Sequence, residues 1–429
     1  MHRGSALFLL CLVLLVAAAP ATVRAQVSNW SGPHTKAQAL QPEVRIPVTS
    51  LGYMQPGELP AFSYYSLVAL HFIDSSHLLF SFNITGLLTR SAGCNADSDG
   101  PEDVQRLVRT VVLRLPSGKV EKKTEWQLHD YAHYLWELNN GQFLFRRCSQ
   151  LGLLGPMLDE RPLVKLDGEM ELLDQSPDRL FLLLEVKKKI AKTTTSGGTG
   201  ANIFAGTSQF LQQTKLREID VVFLRLDPLG VIAHSRTQAP ADLPVLPAGF
   251  LEVTDQTHDQ WQVDLQPYQG KLQGVVQIHS ACPPQLEALT DSTFLAIVCK
   301  DYSETALLYQ AYDLRGEMLW QQPMPAGRIS PQFEYAANRS RMAVATLHTT
   351  HQVAALDPLN SQDVDGQIID VYEVQTGKHL LSFRTTPVYT AGQNFALSPN
   401  GDRLAVLHDG AIEIYNLNTL PQVPSVSRH

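Results

Sequence analysis

The stretch FALSPNGDRLAVLHDGAIEIYNL, from Phe395 to Leu417, contains the pattern that decides the predicted fold. It combines a short apolar strand, a Ser-Pro-Asn-Gly turn, a second strand at Arg403–Leu407, an Asp-Gly turn and an alternating strand that begins at Ala411. Weaker copies of the first hairpin recur upstream, at Phe333–Val344, Leu286–Val298, Glu171–Leu183 and Phe72–Phe82. A strand pair that recurs along a chain indicates a repeat architecture.

A second hairpin follows most of these copies. An alternating strand, a tight turn with glycine and a new strand occur at Val111–Val120, Val221–Val231, Tyr309–Met318 and Ile369–Lys378. Glycine is expected to supply a positive φ angle in each of these turns. Two hairpins in each unit of roughly 40–60 residues are typical of the four-stranded blades of a β-propeller.

The copies predict an all-β protein with a single propeller of about seven four-stranded blades, and six or eight blades remain open. The least regular regions are 128–168 and 247–274, and both still contain apolar strands. Alternate positions of the inner strands are expected to be buried between blades. This predicted core contains Leu180, Leu182, Leu295, Ile297, Met342, Val344, Leu404 and Val406.

The last predicted blade lacks an outer strand, because two prolines interrupt the chain soon after Leu417. Residues Glu43–Thr49 alternate as an edge strand does, and their proline is tolerated only at an edge. An unpaired edge would expose a row of backbone donors and acceptors. We therefore predict that Glu43–Thr49 pairs beside Ala411–Leu417 and closes the ring.

Two of the turns carry a resemblance to a known family. Tyr372–Lys378 (YEVQTGK) and Ser398–Gly401 (SPNG) resemble the outer and inner turns of WD-repeat proteins and of related exported bacterial propellers. The resemblance spans most of the chain, but the Gly-His and Trp-Asp dipeptides of true WD repeats are absent. It implies a propeller scaffold that presents a face or a central channel to a protein or a small ligand.

The first residues predict export. A short basic lead with Arg3, an apolar stretch from Ala6 to Ala19 and small residues before Gln26 occur in the order of a secretory signal peptide. No later segment is long and apolar enough to span a bilayer. We therefore expect a periplasmic or extracellular protein. The expected divisions are a signal peptide at 1–25, an extension at 26–42, the propeller at 43–420 and a tail at 421–429.

The charge balance argues against nucleic acid as a partner. The formal net charge is -8, and loss of residues 1–25 removes two arginines and no acidic residue, which gives -10. Proteins that bind nucleic acid need a concentrated basic surface instead.

Four cysteines follow the predicted signal peptide, and an even number in an exported protein suggests disulfides. Cys282 and Cys299 flank one inner strand, so neighbouring strands of a blade can bring them together. We expect Cys282–Cys299 and Cys94–Cys148, with free buried thiols as the alternative.

Metal motifs are incomplete. Asn95, Asp97 and Asp99 have the spacing of the front half of a calcium loop, but position twelve is Arg106 rather than glutamate. A solvated loop is therefore the favoured interpretation, and no other cofactor is expected. His129 and His133 would share one face of a helix, as some zinc ligands do, but no third ligand is evident, which favours a surface or interface pair.

Two functional hypotheses follow. No Gly-x-Ser-x-Gly or phosphate-loop motif occurs, so a non-enzymatic scaffold that binds a protein or small ligand is favoured. The alternative is an enzyme, such as a lyase or hydrolase, whose residues converge on the central channel from several blades. Charged residues from three or more blades in one closed pocket would favour the enzyme. The oligomeric state stays open.

Overall fold

The computed structural model describes residues 41–55, 68–84, 89–90, 104–129, 133–147, 150–166, 168–187, 219–237, 243–257, 259–300, 307–349, 364–389 and 393–419. These residues form seven antiparallel sheets, which are the blades of a β-propeller. Six sheets have four strands, and one carries an additional two-residue strand, Thr89–Arg90. The predicted all-β class and the count of seven blades are confirmed. No helix in the described ranges is long and apolar enough to cross a bilayer.

The strands of each blade follow one another from the channel outwards. Blade 1 contains Ala69–Phe72, His77–Asn83, Val104–Arg114 and Lys119–His129; blade 2 contains Leu135–Glu137, Phe143–Arg147, Gln150–Leu154 and Glu160–Lys165; blade 3 contains Glu169–Gln175, Phe181–Lys187, Ile219–Leu226 and Leu229–Thr237. Blade 4 contains Val245–Leu246, Gly249–Thr257, Gln260–Pro267 and Gln273–His279; blade 5 contains Gln285–Thr290, Thr293–Cys299, Leu307–Asp313 and Met318–Pro323; blade 6 contains Arg328–Tyr335, Arg341–Thr349, Val364–Glu373 and His379–Thr385.

Blade 7 combines Phe395–Leu397, Arg403–His408 and Ala411–Asn416 with the early strand Val44–Pro47. Val44 pairs with Ile414 and Ile46 with Ile412 in antiparallel register. The amide of Glu43 donates to the carbonyl of Ile414 at 2.7 Å, which extends the ladder by one residue. The prediction that the ring is closed by this segment is confirmed.

The core lies between the blades, because both faces of the middle strands are covered by neighbouring blades. Leu182, Leu183 and Leu184 are all buried although they alternate between the two faces. Seven of the eight predicted core residues are buried. The prediction for Leu180 is wrong, since this side chain is 38% exposed in the turn that precedes the strand Phe181–Lys187.

The outer turns pack against the preceding blade. At Gly377 in blade 6, φ is +65° and an added Cβ would lie 2.5 Å from the ring of Trp320, which belongs to the outermost strand of blade 5. Gly118 in blade 1 has φ +68° and faces Ile46 of blade 7 in the same way. The predicted positive φ is wrong for Gly230, which lies within the strand Leu229–Thr237 and adopts no such angle.

Candidate functional site

The innermost strands enclose a cavity of about 300 Å³ at the centre of the ring. Its lining residues come from six of the seven blades, because the first strand of a blade and the turn after it both face the axis. The ionisable side chains that line it are His71, His133, Glu137, Asp174, Arg179, Glu287, Glu334 and Arg339. They come from blades 1, 2, 3, 5 and 6, so ionisable residues of more than three blades converge on this cavity, which is partly open to solvent rather than closed.

His71 lies on the innermost strand of blade 1 and is 1% exposed. Its ring contacts that of Phe143, with 5.3 Å between the centroids. Neither ring nitrogen makes a hydrogen bond of acceptable geometry with any residue that the structure describes. Burial lowers the pKa of His71 to about 3, nearby His133 and Arg179 act in the same direction, and the amide of Gln393 opposes them weakly. The imidazole is therefore neutral and keeps one nitrogen lone pair available.

Glu137 forms a buried ion pair with Arg179, and 2.7 Å separates Oε1 from Nη1. The side chains are 10% and 6% exposed. Arg179 also donates to the carbonyl of Leu138 at 3.2 Å, which fixes the guanidinium at the end of the innermost strand of blade 2. Burial raises the pKa of Glu137, while Arg179 opposes the rise.

Glu334 lies on the innermost strand of blade 6. Protein surrounds most of its side chain, and the rest of the side chain lines the cavity. This burial, together with the charge of Glu137, raises the pKa of Glu334 to about 8. Donor atoms of His71, Glu137 and Glu334 all lie within 4.8 Å of one another. One imidazole and two carboxyl groups from three blades thus meet at one point.

Arg339 is the second arginine of the channel. Its Nε donates to the carbonyl of Pro177 at 3.1 Å, and its guanidinium carbon lies 4.6 Å from the centroid of the Tyr335 ring. Burial lowers the pKa of Arg339 to about 10, so it remains charged at neutral pH. Among the residues that the structure describes, no carboxylate lies within ion-pair distance of Arg339.

Both arginines occupy the same position of an inner turn. In the sequences SPDR, AANR and SPNG, the amides of Arg179, Arg339 and Gly401 each donate at 2.8 Å to the carbonyl three residues earlier. The φ angles of these residues are +60°, +54° and +74°. Glycine adopts this left-handed conformation readily, whereas arginine does so at a cost in free energy.

Aromatic rings complete the wall. His133 stacks on Trp136 with 4.4 Å between centroids, and Phe333 stacks on Tyr335 at 6.3 Å. The hydroxyl of Tyr335 is buried and has no hydrogen-bond partner in the described part of the chain. His133, predicted to belong to a surface or interface pair, is half-buried in the cavity wall, where burial lowers its pKa to about 4 and its Nε2 contacts the carbonyl of Leu135. It lies on no helix.

The other predicted site residues lie away from this cavity or outside the described residues. Cys282 and Cys299 form a disulfide beside the inner strands of blade 5. Ser280 Oγ accepts the amide of Cys299 at 3.0 Å, which ties the same two segments together. The predicted partners Cys94 and Cys148, and the calcium candidates Asn95, Asp97 and Asp99, lie outside the described residues.

No protein-family model matches the chain, and no curated protein matches its sequence. Similar solved structures include the Pyrococcus horikoshii acylaminoacyl peptidase, with 9% identity and a TM-score of 0.43 over 83% of this chain and 53% of that chain. An oligogalacturonate lyase in complex with manganese has 13% identity and a TM-score of 0.43, over 82% and 88% of the two chains.

A structure of the mitotic checkpoint complex has 10% identity and a TM-score of 0.42, over 92% of this chain and 97% of that chain. This chain spans about half the length of the peptidase. At such identities and TM-scores, none of these proteins bears on the activity of this one. The chain is a seven-bladed β-propeller that the comparisons assign to no family.

Proposed function

We propose that this protein is an exported propeller that binds a small anionic ligand in its central channel. The observation that carries the proposal is the charge of Arg339, which lines the cavity, is largely enclosed and forms no direct ion pair with a described residue, although Glu334 and Asp174 lie near enough to act on it. A largely enclosed charge that lacks a direct ion pair is costly. A carboxylate or phosphate group of a ligand would supply that ion pair, and the planar guanidinium can bind either of them through two hydrogen bonds.

The backbone of the inner turns supports the same conclusion. Arg179 and Arg339 hold left-handed angles at the position where blade 7 has Gly401. Such a residue costs on the order of 1 kcal/mol or more, and strained residues of this kind cluster at functional sites. Two arginines that point into one cavity from equivalent turns are therefore best explained by what they bind.

The walls indicate the rest of the ligand. Trp136, Phe333 and Tyr335 offer flat apolar surfaces, and the buried Tyr335 hydroxyl offers a hydrogen bond that no described residue uses. A cavity of about 300 Å³ holds a small molecule rather than a folded partner. We therefore expect an anion with a flat or apolar portion and at least one polar group.

The test is a thermal-shift screen with sugar acids, aromatic carboxylates and phosphate esters, followed by calorimetry of the compounds that stabilise the protein. Arg339→Gly should abolish the shift and leave the unliganded protein at least as stable, because glycine suits the turn. Asp409→Gly is the matched control, since Asp409 also has a positive φ, of +46°, and does not line the cavity. Equal binding by wild type and Arg339→Gly would contradict the proposal.

The support for export is the order of the basic, apolar and small residues within 1–25. An exported propeller would take its small ligand from the periplasm or the cell exterior. The identity of the first residue of the mature chain tests this part separately.

A second candidate function is catalysis. Burial raises the pKa of Glu334 to about 8, whereas the ion pair with Arg179 opposes such a rise at the neighbouring Glu137. Two carboxyl groups with different proton affinities are the usual acid and base of hydrolases and lyases. Conversion of a bound compound by wild type, with loss of conversion but not of binding in Glu334→Gln, would establish an enzyme. Release of the compound unchanged would leave the binding protein.

A further inference from the structure

The cluster of His71, Glu137 and Glu334 has the composition of a metal site. Its nitrogen and oxygen donor atoms lie within 4.8 Å of one another. At metal–ligand distances of about 2 Å, donor atoms on one ion are separated by roughly 3–4 Å, so small side-chain rotations bring the three groups onto one ion. His71 lies on the innermost strand of blade 1, Glu137 on that of blade 2 and Glu334 on that of blade 6, so the three side chains reach the channel from different blades.

The environment of His71 is the second observation. Its imidazole is 1% exposed, and neither nitrogen makes a hydrogen bond of acceptable geometry with a described residue, although the amide of Gln393 lies nearby. A buried polar group without a partner is destabilising, and a bound ion is one of the ways in which a native structure satisfies such a group. A cation held by this nitrogen and the two carboxylates would satisfy it.

The donor set selects the class of ion. One imidazole nitrogen with two carboxylate oxygens suits zinc or manganese, whereas calcium takes six to eight oxygen ligands. Three protein ligands also leave further coordination positions, and these would face the cavity.

Arg179 would act on this site through Glu137. Its ion pair engages Oε1 of that carboxylate at 2.7 Å, and a carboxylate has a second oxygen for a metal. A group that orients a ligating carboxylate in this way is a regular part of metal sites. The arginine also offsets part of the negative charge that two carboxylates bring together.

We propose that His71, Glu137 and Glu334 bind one zinc or manganese ion at the floor of the channel, with open coordination positions towards the cavity. The site does not depend on the anionic ligand, although an anion held by Arg339 would lie close enough to share the same cavity.

The test is calorimetric titration of EDTA-treated, dialysed protein with ZnCl₂, MnCl₂ and CaCl₂. We expect one zinc or manganese ion per chain, tighter than calcium by at least ~100-fold. Glu334→Gln removes one ligand without changing side-chain size and should weaken binding by roughly 100-fold. Glu287→Gln is the matched control, since Glu287 is a carboxylate of the same cavity outside the cluster. It should change the affinity by less than about 3-fold.

Several results would overturn this assignment: wild type that binds neither zinc nor manganese at micromolar concentration, calcium bound as tightly, or equal losses in Glu334→Gln and Glu287→Gln. If Glu334→Gln fails to fold, His71→Gln makes the same comparison. Arg339→Gly should retain its metal, so failure of the metal site and failure of the anion site are separate outcomes.

Discussion

The strand that closes the ring offers the sharpest test of the architecture. Ile46 is 6% exposed, pairs with Ile412 and packs against Gly118 of blade 1. Ile46→Ala removes three carbon atoms, or about 2.4 kcal/mol at ~0.8 kcal/mol for each. Because Gly118 has no side chain that can move into the space, a cavity should persist and raise the loss to about 3–4 kcal/mol.

The assay is thermal unfolding with a matched variant of the same strand. For a domain of this size a loss of 3–4 kcal/mol corresponds to a melting temperature lower by roughly 4–5 °C. Arg45→Lys is the control, because Arg45 lies on the opposite face with 48% of its side chain exposed and the lysine keeps the charge near Glu413. It should change stability by less than about 0.5 kcal/mol. Equal melting temperatures for the two variants would refute closure by this strand.

Three further predictions follow from particular residues. Burial lowers the pKa of His133 to about 4 from 6.5, so unfolding takes up a proton below pH 6.5 and the stability of wild type should fall as pH drops. His133→Gln should lose about 1.5 kcal/mol less between pH 6.5 and pH 5, as melting temperatures across a pH series will show; parallel profiles would contradict it. Gly377→Ala should cost about 2 kcal/mol or more in urea denaturation, since its Cβ meets the Trp320 ring at positive φ, whereas Gly230→Ala, with open space around it, should not destabilise. Mass spectrometry of exported material should find an N-terminus at Gln26, and an intact Met1 there would contradict the predicted signal peptide.

The fold was accessible from the sequence because its determinants are local. Each blade repeats its turns and apolar strands within a short stretch, so a single copy such as Phe395–Leu417 identifies the unit. The closing strand could be predicted because the last blade has no outer strand of its own in the sequence that follows Leu417, so another segment had to supply it. The prediction for Leu180 failed because the sequence does not show at which residue the turn ends and the strand begins. Leu180 lies one residue before the strand, and a shift of one position is enough to change a buried side chain into an exposed one.

The site was less accessible because its residues are distant in sequence. His71, Glu137 and Glu334 meet only when blades 1, 2 and 6 are placed around one axis. A local signal was nevertheless present: each is an ionisable residue on an innermost strand, and His71 lies between apolar neighbours within Ala69–Phe72. Such a residue must face something other than a neighbouring blade.

The arginines carried a second signal. The turn SPNG needs glycine at its fourth position, and the copies SPDR and AANR place Arg179 and Arg339 there. A departure from the residue that a turn requires, repeated in two blades, marks positions where function outweighs local preference. The sequence could not show that both side chains enter the same cavity.

Closure by an early strand makes the stability of this protein cooperative in a way that linear repeats are not. A solenoid that loses its last repeat keeps the contacts of the others, since each repeat touches only its neighbours. Here Arg45 and Glu413 pair across 368 residues, and contacts so distant in sequence are expected to form late. A chain cut before residue 411 would leave Val44–Pro47 without its partner and uncover the side of blade 1 that Ile46 protects. Truncation at the C-terminal end therefore destabilises the N-terminal strand as well. The truncated chain should associate through its unpaired strand edges rather than remain folded as a smaller propeller.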